Sequence, residues 1–299
     1  MIIDINRFQN QDSARAFIDE CENNFKITVE SAAKLIAADK NCKAVTLAGP
    51  TCSGKTTAAN LLIKALKDLG KNAKIISIDD FYYSHDVMES LGITDFEGVS
   101  AIDTALFKET ARSLAEKKET LLPTYDFKTR MRASLLPYTP DDNDIYIFEG
   151  IQAIYPEILS CLDSFKTVSL YICVADKVEI GDVCFLPDEI RLMRRAVRDN
   201  YHRGTSVENT MVLWDNVRAN EEANIFPYVG KENFSINSLI PYELFIVGKE
   251  FLFLSENYPP EGKSYSLVEG LRERLSKIMN EHFSISQVPE NSLLWEFSK

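Results

Sequence analysis

Eight consecutive residues, Gly49-Pro50-Thr51-Cys52-Ser53-Gly54-Lys55-Thr56, carry the spacing G-x-x-x-x-G-K-[ST]. Glycines at both ends let the backbone turn so that successive N–H groups converge on one point, and a lysine and a hydroxyl follow at once. That combination suits a polyphosphate and a divalent cation. The flanks agree. Ala44-Val45-Thr46-Leu47-Ala48 reads as a buried strand, and the run from Thr57 to Leu66 has helical periodicity. A helix start adds the positive end of its dipole at the same point. The candidate nucleotide contacts are therefore Gly49, Thr51, Cys52, Ser53, Gly54, Lys55, Thr56 and Thr57. Lys55 is assigned to the terminal phosphates and Thr56 to Mg²⁺.

Two more acids and an arginine cluster complete the chemistry. The stretch Ala73–Ile78 reads as a second strand and ends in Asp79-Asp80-Phe81-Tyr82. An acid at the carboxyl end of a strand beside a phosphate loop can accept the proton of an attacking alcohol, so Asp79 is the candidate base. Asp80 is expected to cap the following turn. The strand Asp144–Phe148 ends in Glu149-Gly150, a Walker-B-like position suited to Mg²⁺ or its water shell. Finally, Arg191, Arg194, Arg195, Arg198 and Arg203 fall within 13 residues of an acidic protein. Such a cluster suits a lid that supplies charge to a phosphoryl transition state. The alternative is a solvated helix paired with Asp188, Glu189 and Asp199.

The elements that must position these residues alternate between strand and helix from residue 43 onward. That order predicts a mostly parallel sheet with helices on both faces, and ligands at the carboxyl ends of its strands. A helix is expected over 103–118, a strand over 167–174, a long charged helical region over 187–224 and a helix over 265–283. Residues 1–42 read as an N-terminal helical extension, 43–255 as the kinase domain with its lid at 187–210, and 256–299 as a C-terminal helix and tail. The 299 residues carry a formal net charge of −12, which disfavours nucleic-acid and anionic-membrane binding. Six cysteines without a C-x-x-C pair, no apolar run near 18 residues and no export-signal profile predict a cytoplasmic protein.

In their order, five motifs resemble the phosphoribulokinase/uridine kinase family of P-loop kinases. They are the phosphate loop, Ser77-Ile78-Asp79-Asp80-Phe81-Tyr82, Pro123-Thr124-Tyr125-Asp126-Phe127, Phe148-Glu149-Gly150 and the arginine segment. The resemblance covers about residues 43–240 and implies an α/β P-loop NTPase three-layer sandwich with an arginine-rich helical lid. It implies Lys55, Asp79 and Arg198 as catalytic residues, Thr56 and Glu149 at the metal, and ATP and Mg²⁺ as cofactors. It matches Arg195, Arg198 and Arg203 to lid arginines that contact phosphate and substrate. Residues Tyr82, Phe96, Glu97, Tyr125 and Phe127 match positions that bind the acceptor nucleoside. Arg130 stands where uridine kinases carry a base-reading histidine, and Thr205 where they carry an arginine. The expected acceptor is a small molecule, foremost the 5′-hydroxyl of uridine or cytidine. A sugar-phosphate or other alcohol kinase is the alternative among enzymes, and a catalytically silent nucleotide-binding regulator the alternative among binding proteins. A GTPase is disfavoured because N-K-x-D does not occur. Self-association into a homo-oligomer is compatible with this reading.

Overall fold

The computed structural model describes residues 1–93 and 98–298. Along the chain run strand β1 (Ile2–Ile3), helix α1 (Gln11–Ala38), β2 (Cys42–Ala48), α2 (Lys55–Asp68), β3 (Asn72–Ser77), α3 (His85–Ser90) and α4 (Thr104–Ala115). A hairpin of β4 (Thr120–Asp126) and β5 (Met131–Tyr138) follows, then β6 (Asp144–Glu149), α5 (Pro156–Ser160) and β7 (Lys166–Cys173). The remainder is β8 (Val178–Ile180), β9 (Val183–Phe185), α6 (Pro187–Arg203), α7 (Val207–Asn224), β10 (Phe234–Asn237), α8 (Glu243–Leu254) and α9 (Tyr265–Ile278).

The central sheet is five-stranded in the order β10-β7-β2-β6-β3, and every pairing in it is parallel. Its inner strands β2 and β6 are buried along nearly their whole length because both faces of the sheet are covered. Alternation along each strand then sorts the side chains into two clusters. Val45, Leu47, Ile145, Ile147 and Leu170 join the cluster containing residues of α1, α2, α8 and α9. Ala44, Tyr146, Phe148 and Tyr171 join the one containing residues of α4 and α5. Helix, sheet and helix make three layers.

The expected strands appear within one or two residues of their predicted bounds. Other expectations are refined. The charged region 187–224 is two helices, α6 and α7, because the chain turns at Gly204, whose φ of 65° favours glycine. The C-terminal helix stops at Ile278 rather than 283. Residues 225–255, unassigned from the sequence, supply the edge strand β10 and helix α8. At the start, α1 runs unbroken for 28 residues from an Asn10–Ser13 capping box. Met1–Ile3 pairs in parallel with β8, a long-range contact without a local sequence signature. All six cysteines are free thiols. Among the described residues no helix is long and apolar enough to cross a membrane.

The phosphate loop is held close against the sheet. A Cβ on Gly49 would lie 2.2 Å from the Ile172 carbonyl oxygen, an atom of β7 that cannot swing aside. Gly49→Ala is therefore expected to lower the unfolding free energy by roughly 1–3 kcal/mol, read by urea denaturation; an unchanged midpoint would show that the loop can shift away.

Candidate functional site

Strand register converges the functional groups. Leu47 of β2 and Ser77 of β3 both align with Glu149 at the end of β6. Three consecutive strand ends thus deliver the phosphate loop, Asp79 and Glu149 to one edge of the sheet. Glycine at 54 is needed because its φ is 88° and a Cβ there would stand 2.2 Å from Leu293 Cδ1. Cys52 is also left-handed, at φ 57°, a conformation that costs a non-glycine residue energy. Lys55 folds over its own loop, donating to the carbonyls of Gly49 (3.0 Å) and Pro50 (3.1 Å). Ser53 is fully buried, and its hydroxyl has no hydrogen-bond partner.

The two acids sit in a field set by their neighbours. Desolvation pushes the Asp79 carboxyl above the usual carboxylate range. Lys55, a hydrogen bond from Gln152 and the charge of Arg203 oppose that shift, while Asp80 adds to it. Burial likewise pushes Glu149 up to about 7, with Lys55 pulling against and Asp79, Glu296 and Asp80 pushing with it. Carboxylates thus crowd one lysine, an arrangement that an added cation would relieve. Among the described residues, no cluster of three or more His, Cys, Asp or Glu could hold a metal unaided. Two protein oxygens, from Thr56 and Glu149, suit Mg²⁺ only if phosphate and water complete its shell.

Asp80 does not cap its local turn. Its carboxylate accepts from the Tyr125 amide at 2.9 Å, tying the β4–β5 hairpin to the end of β3. That tie gathers three of the expected acceptor residues. Ring centroids lie 5.6 Å apart for Tyr82–Tyr125, 5.1 Å for Tyr125–Phe127 and 6.2 Å for Tyr82–Phe127. Phe127 is 61% exposed and open to a ligand. Arg130, at φ 56° in the hairpin turn, acts electrostatically on the Tyr125 hydroxyl. Phe96 and Glu97 lie outside the described residues.

The arginines of α6 divide into two groups. Arg191 and Arg194 are buried and bidentate on buried carboxylates, Arg191 on Glu221 (2.6 and 2.8 Å), which Arg218 shares, and Arg194 on Glu243 (2.6 and 2.8 Å). Each also donates to a phosphate-loop carbonyl, Arg191 to Thr51 (3.2 Å) and Arg194 to Cys52 (3.1 Å). They fasten the helix to the loop. Arg195, Arg198 and Arg203 instead converge on the single carboxylate of Asp199, at 3.3, 3.0 and 3.4 Å. Three cations on one anion leave positive charge at the loop, where Arg195 stands 3.5 Å from the Thr51 hydroxyl.

Residues 44–240 match the model of the phosphoribulokinase/uridine kinase family. The chain belongs to that family of kinases. Uridine-cytidine kinase B of Dictyostelium discoideum is 30% identical over 171 residues, 56% of this chain and 62% of that protein. This chain thus matches less than two thirds of that relative's length. A uridine kinase of Lactobacillus johnsonii is 31% identical over 170 residues, covering 55% of this chain and 71% of its own. The fold is shared with a fructose transport system kinase candidate from Silicibacter sp. TM1040, at a TM-score of 0.52 and 19% identity, over 66% of this chain and 95% of that one.

Several residues at this site carry no motif. Gln152 is fully buried, donates to the Tyr82 hydroxyl at 2.8 Å and helps to lower the pKa of the Asp79 carboxyl, so one amide lies against both base and aromatic wall. Only its place two residues after Glu149-Gly150 could have flagged it. Arg132 donates to the Tyr82 carbonyl (3.4 Å) and pairs with Asp103 (3.2 Å), bracing the hairpin. Glu221, Glu243 and Glu296 reach the site from 30, 49 and 239 residues beyond the groups they touch. No local pattern announces such contacts.

Arg194→Met should cost about 3–5 kcal/mol, because Glu243 is left charged and buried. The double variant R194M/E243L should recover most of that loss. Chemical denaturation of both tests it; a double variant no more stable than the single would show that the ion pair is not the reason.

Proposed function

We propose that this chain is an ATP- and Mg²⁺-dependent kinase that transfers the γ-phosphoryl group to a hydroxyl of a small metabolite, foremost the 5′-hydroxyl of uridine or cytidine. One observation carries the proposal: Asp79 stands at the sheet edge shared by the phosphate loop, and Gln152, which acts on its carboxyl, donates to Tyr82 of the aromatic wall formed with Tyr125 and Phe127. A base, a phosphate cradle and aromatic rings on which a pyrimidine can stack are together. The names of the uridine kinase relatives support the same acceptor.

In this mechanism the acceptor lies against the aromatic rings with its hydroxyl toward Asp79. The carboxylate takes the hydroxyl proton as oxygen attacks the γ-phosphorus in line, and the bond to the bridging oxygen of ADP breaks. A raised Asp79 pKa suits the task, since a more basic carboxylate accepts the proton more readily. Lys55 leaves the Gly49 and Pro50 carbonyls to reach the terminal phosphates. Arg195, Arg198 and Arg203, short of counter-anions, offset the charge on the migrating group. Thr56 and Glu149 would hold Mg²⁺, which supplies further charge neutralisation when bound.

Arg130 favours a second acceptor class. A guanidinium beside Tyr125, at the place of a base-reading histidine, suits a phosphate or carboxylate on the acceptor. An alcohol carrying its own phosphate is then the substrate.

ADP release measured with uridine, cytidine and pentose phosphates decides between the two classes, and turnover of none of them would count against both. Asp79→Asn is expected to lower kcat by roughly 10²–10⁴-fold while calorimetry finds ATP affinity little changed; near-normal turnover would remove Asp79 from the mechanism. Chelating Mg²⁺ with EDTA should abolish turnover and excess Mg²⁺ restore it, whereas turnover that survives chelation would exclude the cation.

A further inference from the structure

The C-terminal segment touches the phosphate loop directly. Its 3-10 turn Leu293–Glu296 lies beyond the family's matched residues, which end at 240. Leu293 is fully buried against Gly54, where even one added carbon would collide with it. Phe297 is fully buried as well, with the Arg194 guanidinium 4.8 Å from its ring centre. Upstream, Ser292 bonds Glu22 of α1 at 2.5 Å and Tyr242 at 2.9 Å. The segment is therefore anchored in the core on both sides of one charged residue.

That residue is Glu296. Its Oε2 accepts from the Thr57 backbone amide at 3.2 Å and from the Thr57 hydroxyl at 2.9 Å. Thr57 is the third residue of α2, so its N–H is one of the helix's unsatisfied donors, aimed where the dipole favours an anion. In a phosphate loop these donors serve the nucleotide. Glu296 also raises the Glu149 carboxyl and is felt by Arg198, which puts its charge within the site.

We infer that Glu296 is a built-in competitor of the nucleotide: its carboxylate holds the first turn of α2 in place of a phosphate and must swing off Thr57 before a nucleotide seats fully. The inference rests on the kinase reading above, since it requires a nucleotide at this loop. Leu293 and Phe297 keep the segment docked while the one side chain moves, so the device sets affinity without unfolding the tail. It acts as an intramolecular brake, and anything that draws the tail away from α2 would tighten nucleotide binding.

Calorimetric titration of the 299-residue chain with ATP and with ADP, in Mg²⁺, tests this. Glu296→Ala should bind both roughly tenfold more tightly than the unaltered chain, the scale of a charge-assisted hydrogen bond. Glu296→Gln keeps an acceptor without the charge and should fall between; it also serves if the alanine variant melts early. Equal or weaker binding by a folded variant would overturn the brake and leave the kinase reading intact. Failure of every protein, unaltered or variant, to bind either nucleotide would overturn the phosphate-loop reading and the brake with it.

Discussion

The amide hydrogens at the start of α2 point out of the sheet edge with no helical carbonyl to receive them. Much of the molecule is arranged around that deficit. The loop before α2 must turn sharply, so glycine stands at 49, pressed on the Ile172 carbonyl, and at 54, pressed on Leu293. The helix dipole and Lys55 make the point attractive to anions. Within this chain one of these donors, the Thr57 amide, is met by the carboxylate of Glu296.

Charge around the loop is apportioned by burial. Arginines that are wholly enclosed, Arg191 and Arg194, are each bidentate on a buried glutamate and act as struts between α6 and the loop. A buried ion needs such a partner, because desolvation alone would oppose its charge. Arginines nearer the cleft share Asp199 and retain surplus charge. The same helix is therefore structural along one part and electrostatically available along another, a division that spacing on a helical wheel does not reveal.

The acceptor side is assembled by tethers rather than by one element. Asp80 grips the Tyr125 amide, Arg132 grips the Tyr82 carbonyl and Asp103, and Gln152 donates to the Tyr82 hydroxyl. Several of the hairpin's apolar side chains, Leu121, Leu135 and Leu136, are about half exposed. Polar ties to the strand ends give it a fixed place, and so place the aromatic rings relative to the base.

The sequence by itself determined whatever depends on neighbours along the chain. The loop at 49–56, the acids closing β3 and β6, the strands of the parallel sheet and the arginine-rich helix are all written in local spacing, because a strand, a tight turn and a helix start need particular residues at fixed offsets. Tertiary structure alone decided which arginines are struts and which face the cleft, since Glu221 and Glu243 arrive from other helices. It also decided that Asp80 serves the hairpin rather than its own turn, and that Gln152 lies against base and ring. The pairing of Met1–Ile3 with β8 and the seat of Glu296 on Thr57 belong to the same class. These contacts close over tens to hundreds of residues, and their partners are chosen by packing of the whole chain, for which a linear pattern carries no period.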